Sequence, residues 1–231
     1  MDPHSSSLNF LQLDADRFSR KYLYGCHSPE QTFSSDHMNY TNELVKIKYN
    51  RILKIVERMF ILCNNEITPF KGNNTAKLLS YLFTNKLEFV ADGVNSYRKT
   101  SPLQYSFFHD FREKAIFVHS EIQCLKNSLR NKGHRDNILN GRGKYMMIIV
   151  RSKKNSRGVP VYGVSLPCVG CRNALKKFNI RTVIYTLDQD ENSIQAEPRL
   201  GALILRGDGY VNFNLSQWYE QFQGMKEKIH A

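Results

Sequence analysis

From Val45 to Cys63 the apolar positions recur every three or four residues: Val45, Tyr49, Ile52, Val56, Met59, Phe60 and Cys63. That period lays them along one side of an amphipathic helix. Thr41 or Asn42 can cap its start and Asn64-Asn65 can end it. After a polar loop from Pro69 to Asn74, the runs Lys77–Phe83 and Leu87–Asp92 flank Thr84-Asn85-Lys86, a hairpin pattern. Apolar Ala115–Val118 leads into a second helical pattern through Ile122, Leu125 and Leu129. Leu129–Lys144 is polar, punctuated by glycine and without an apolar period, so it reads as an exposed excursion. Tyr145–Val150 is a continuous apolar run of the kind a buried central strand shows. Val159–Leu166 reads as a further extended segment. Ala174, Leu175 and Phe178 suggest a helix, and Thr182–Leu187 another buried strand. Leu203–Leu205 and Tyr210–Phe213 flank Gly207-Asp208-Gly209 as a second hairpin. Asn214–Ile229 reads as a last helix, capped by Ser216. This order predicts a mixed α/β sheet covered on both faces, in three α/β/α layers with about five strands.

Composition narrows the class. The 231 residues, 41% of them hydrophobic, suffice for one domain with a real core. No apolar run approaches the ~18 residues of a membrane span. The polar start lacks a secretory pattern, and five cysteines without framework spacing suit a reducing compartment, cytoplasmic or nuclear. Residues 1–40 show no sustained period and read as an extension, with Phe10, Leu11, Phe18, Tyr22 and Leu23 as packing residues where it docks. A main domain over 41–215 and a terminal helix over 216–231 follow. The net charge of +12 is uneven: residues 131–160 hold eight Lys/Arg against Asp136 alone. Such a basic insert is a solvated surface or an attractor of phosphate, on a nucleotide or on a strand.

Two short motifs carry chemistry. His119-Ser120-Glu121 and Pro167-Cys168-Val169-Gly170-Cys171 lie on either side of the 45 residues 122–166. Together they spell H-x-E…P-C-x-x-C, a signature of zinc-dependent base deaminases. One imidazole and two thiolates supply three zinc ligands and leave a tetrahedral position for water, as catalytic zinc requires. Glu121 is not a ligand but can take a proton from that water and pass it on. Cys168 and Cys171, three apart at a helix start, can turn both sulfurs one way. A closed structural zinc site would need a fourth protein ligand, and no second C-x-x-C or H-x₃-H is present.

These motifs are joined by Gly93-Val94-Asn95-Ser96-Tyr97 with Pro102-Leu103-Gln104, and by a long match from Leu166 to Thr186. In this order, over roughly residues 44–190, the chain resembles the small cytidine and deoxycytidylate deaminases, particularly those of phages and large DNA viruses. The resemblance implies a cytidine-deaminase-like fold and a Zn2+ cofactor held by His119, Cys168 and Cys171. Glu121 would be the proton carrier, and homo-oligomers would be common. It implies that Asn95 hydrogen-bonds the substrate sugar, with Ser120 and Pro167 as further substrate-binding residues. Arg98 and Lys99, three and four residues beyond Asn95, either reach a 5′-phosphate or are solvent-facing loop charges. Two positions depart from the family: Ser101 stands where many relatives have histidine before the proline, and Ser120 where alanine is common.

The expected activity is hydrolytic deamination of a cytosine nucleotide or nucleoside, dCMP, CMP or cytidine, to its uracil form. Deamination of cytosine or adenine within single-stranded DNA or RNA is the alternative, suggested by the basic insert and by Trp218, Tyr219 and Phe222 as stacking or packing residues. A catalytically silent nucleic-acid-binding module is the third reading.

Overall fold

The computed structural model describes residues 35–65, 77–97, 101–108, 117–189, 197–206 and 209–229. The chain divides into two compact units, Met1–Ile55 and Val56–Ala231. Of the first, the described part is the opening two thirds of helix α1 (Ser35–Asn65), with Val45, Tyr49 and Ile52 buried along one side. The helix begins at Ser35, six residues before the Thr41 expected to cap it; the side chains from 36 to 40 carry no apolar period to announce it. Residues 1–34, including Cys26 and the five apolar residues proposed to dock there, lie outside the described residues.

The second unit is built on one mixed sheet. Its strands are β1 (Lys77–Thr84), β2 (Phe89–Val94), β3 (Tyr145–Lys154), β4 (Pro160–Gly163), β5 (Thr182–Thr186), β6 (Leu200–Arg206) and β7 (Gly209–Asn214). The order is β2-β1-β3-β5-β6-β7. β3 and β5 run parallel, and every other pairing is antiparallel. β1 occupies one edge of β3 from Tyr145 to Ser152, so β4 shares the other edge with β5, pairing with Arg151–Lys154. Among the described residues, seven strands therefore replace the five expected. β4 falls inside the extended segment read over Val159–Leu166, and the two strands beyond five are those of the β6–β7 hairpin, which extends the same sheet.

The helices of this unit are α2 (Pro102–Tyr105), α3 (Ser120–Ser128), α4 (Lys132–Leu139), α5 (Val169–Lys177) and α6 (Leu215–Ile229). One sheet face, with Leu82, Met147, Ile149, Val183 and Leu203, packs against Ile122, Leu125, Ala174 and Leu175 of α3 and α5. The opposite face meets the last turns of α1, where the Phe60 ring lies 4.0 Å from that of Tyr162 and the Ser152 hydroxyl bonds Asn64 Oδ1 at 2.5 Å. Cys63, expected as a core residue, is fully buried there. α5 is the crossover that parallel β3 and β5 need.

Two local expectations are corrected. The polar excursion holds α4, because the Asn131 side chain accepts from the Gly133 amide at its start and a single apolar residue, Ile138, is fully buried. One buried position cannot produce a period. At α6 the cap is Asn214, whose Oδ1 accepts from the Gln217 amide at 3.0 Å; Ser216 instead accepts from the Leu200 amide at 2.8 Å, tying the helix to β6. Trp218 is buried and stacks on Phe222, with centroids 5.5 Å apart, which is packing. No helix among the described residues is long and apolar enough to cross a membrane.

Candidate metal centre

Three segments converge at the carboxyl ends of parallel β3 and β5, where open α/β sheets place their ligands. The first follows β2. Ser96 and Val118 exchange both backbone hydrogen bonds, at 2.9 and 2.8 Å, which draws the strand entering α3 beside the end of β2. The second is α2. Gln104, almost fully buried, donates from Nε2 to the Phe117 carbonyl at 2.8 Å and accepts on Oε1 from the His119 amide at 2.9 Å. One amide group thus clamps the backbone on both sides of Val118. The third is the approach to α5. The Ser165 hydroxyl donates to the Ile149 carbonyl at 2.7 Å, and its amide donates to Thr186 O at 3.0 Å. This pins the chain to the ends of both parallel strands just before Pro167, itself buried.

The result brings together His119, Cys168 and Cys171. His119 Nδ1 stands 3.7 Å from Cys168 Sγ and 3.5 Å from Cys171 Sγ, and the three atoms lie within 4.8 Å of one another. The donor set fits zinc. Zinc–nitrogen and zinc–sulfur bonds of about 2.0–2.1 and 2.3 Å at a tetrahedral angle place nitrogen and sulfur about 3.5–3.6 Å apart. The three residues can therefore hold a metal ion such as zinc. Cys171 is fully buried, whereas His119 and Cys168 are partly exposed, so the trio is open to solvent on one side. The imidazole is held between rings: Phe117 stacks on it at 5.3 Å and 11°, and Phe108 meets it edge-on at 5.0 Å. Gly170 makes room for Phe108, since a Cβ there would fall 2.7 Å from that ring.

The charges suit a metal. A hydrogen bond from Cys171, aided by His119 and opposed by burial, pulls the Cys168 thiol down to about 4. Burial, the Cys168 sulfur and the Glu121 carboxyl push Cys171 up. The pair thus holds one thiolate in advance, at the start of α5 where the helix dipole favours it. A metal ion would displace the second proton. Burial also raises the Glu121 carboxyl above its usual range, against the pull of its own amide and of His119.

The remaining sequence-derived candidates fall in different places. Ser120 is fully buried, and its hydroxyl lies 2.7 Å from Ser80 Oγ and donates to Glu121 Oε2 at 3.1 Å. Asn95 Oδ1 accepts from the Leu78 amide at 2.9 Å, so this side chain closes the start of β1 next to the site. Arg98 and Lys99 lie outside the described residues. Ser101 is buried at the start of α2. Sequence reasoning gave no role to Gln104, Phe108, Ser80 or Ser165. Gln104 alone had a signal, its place in the Pro102-Leu103-Gln104 segment. No family model matches the chain, and no curated protein or solved structure matches it either.

Proposed function

We propose that this protein is a zinc-dependent hydrolytic deaminase that converts a cytosine nucleotide or nucleoside to the uracil form and releases ammonia. The observation that carries the reading is the convergence of His119, Cys168 and Cys171 with a buried, non-ligating carboxyl, Glu121, beside Cys171. When bound, zinc supplies Lewis acidity that makes a water nucleophilic near neutral pH. Glu121 takes one proton from the attacking water and delivers it to N3. It then takes the second from the hydroxyl now on C4 and delivers it to the amino nitrogen, which departs as ammonia as the C4 carbonyl forms. Its raised proton affinity suits both halves of the task. The order of motifs shared with the cytidine and deoxycytidylate deaminases, and a mixed sheet with the site at the ends of β3 and β5, support a cytidine-deaminase-like fold. Asn95, beside the His119 segment, is the candidate for the sugar.

A free substrate is favoured over a strand by the layout of the basic insert. β3 divides it: Lys132, Arg135, Arg142 and Lys144 precede the strand, while Arg151, Lys153 and Lys154 lie in its last four residues and Arg157 follows, at the end where the site lies. Nine strand steps between Lys144-flanked Tyr145 and Lys154 span about 30 Å, too far for the whole block to line one groove by the site. Lys153 is moreover paired with Asp188 at 3.0 Å. The test is ammonia release from dCMP, CMP, cytidine and a cytosine-containing single strand. Turnover of a free cytosine compound, little affected by raised salt, supports the proposal. Turnover of the strand alone, falling steeply with salt, would overturn it.

A further inference from the structure

Two small residues seat the first turn of α3. Ser80 of β1 and Gly93 of β2 are cross-strand partners, on the sheet face that carries this helix. A Cβ on Gly93 would fall 2.2 Å from the Cys124 nitrogen and 2.3 Å from the Ser120 carbonyl oxygen, so the helix backbone rests directly on the strand there. The close approach brings the Ser80 and Ser120 hydroxyls to 2.7 Å, and Ser120 Oγ stands 3.1 Å from Glu121 Oε2.

A serine hydroxyl has one proton to give. With that of Ser120 directed to Glu121, that of Ser80 must run to Ser120, which gives the chain a direction from the sheet to the carboxyl. Ser80 and Ser120 are fully buried and Glu121 is 3% exposed, so water is no ready substitute for either hydroxyl. Adjacent residues on a helix point about 100° apart and do not ordinarily meet. Here the contact bends Glu121 back over the start of the helix, where its carboxyl lies beside Cys171. An alanine at position 120 would offer no such bond.

We propose that Ser80 and Ser120 are positioning residues, a buried hydroxyl chain anchored on β1 that holds one oxygen of Glu121 and presents the other to the reacting water. This rests on the deaminase reading of the site. The test compares wild type with Ser120→Ala, Ser80→Ala and the double variant in zinc content, in kcat and KM on the free cytosine compound, and in crystal structures. All four forms keep wild-type zinc, because neither serine is a ligand. Ser120→Ala lowers kcat about 10- to 100-fold, the range for a lost hydrogen bond to a charged group, with KM within about twofold. Ser80→Ala loses less, and the double variant is no worse than Ser120→Ala, because Ser80 acts only through Ser120. The Glu121 carboxyl adopts a new rotamer in Ser120→Ala. Full kcat in Ser120→Ala, losses that add in the double variant, or loss of zinc with activity would each overturn the proposal. If wild type deaminates no cytosine compound, the deaminase reading fails, and the crystal structures alone decide the hydroxyl chain. An unmoved Glu121 carboxyl in Ser120→Ala sinks it.

Discussion

Gln104 orients a candidate metal ligand, His119, without being one itself. Its amide satisfies Phe117 O and the His119 amide together, inside the core, and so sets where the imidazole leaves the backbone. Gln104→Leu would orphan both groups, at about 1–3 kcal/mol for each buried group left unpaired. We expect the variant to melt well below wild type and to lose zinc to a competing chelator about tenfold sooner, an outer-shell effect of ordinary size. Zinc affinity equal to wild type in a folded Gln104→Leu protein would show that the clamp serves only folding. The candidate ligands His119, Cys168 and Cys171 were legible because an imidazole and two thiols at this spacing have few other uses. Gln104 and Ser80 were not, because what they do depends on partners 13 to 40 residues away, and a polar residue's burial has no local mark.

Elements were readable where many of their residues face the core. Tyr145–Val150 announced β3 because all six are buried, and α5 followed from Ala174, Leu175 and Phe178. α4 failed that test with Ile138 as its one buried residue, while β4 falls inside the extended segment read over Val159–Leu166. The account makes α4 depend on that one side chain. Ile138→Ala should cost about 2–5 kcal/mol in urea unfolding, the usual range for truncating a core aliphatic. Exposed Leu139→Ala should stay within about 0.5 kcal/mol. Equal costs would contradict the assignment. For α3 the critical position lies on its neighbour. Gly93→Ala forces a methyl against main-chain atoms of Cys124 and Ser120, which no rotamer change relieves. Its cost should reach or exceed the top of the ~1–3 kcal/mol range for overpacking. A Gly93→Ala protein as stable as wild type would refute the close approach.

At the scale of the molecule, buried acids set the alkaline limit. Burial lifts Cys63 from 9.0 to about 11, and raises Cys124, Tyr145, Tyr162 and Tyr185. In each case the unfolded chain gives up its proton at lower pH than the folded one. Their contribution is therefore intact below about pH 9 and is lost as pH rises, for Cys63 through about 11. Urea midpoints should decline above pH 9, and Cys63→Ala should flatten part of that decline; an equally steep fall in the variant would contradict it. The sheet joins these buried groups to the site by ending β3 and β5 where His119, Cys168 and Cys171 meet. Zinc and ammonia measured on the same samples of wild type and Glu121→Gln test that centre most directly. The account predicts one zinc per chain in both, ammonia from a cytosine compound with wild type, and a rate about 10²- to 10⁴-fold lower with Glu121→Gln, the usual worth of a general acid–base group. Folded wild-type protein without zinc, or Glu121→Gln as active as wild type, would contradict it.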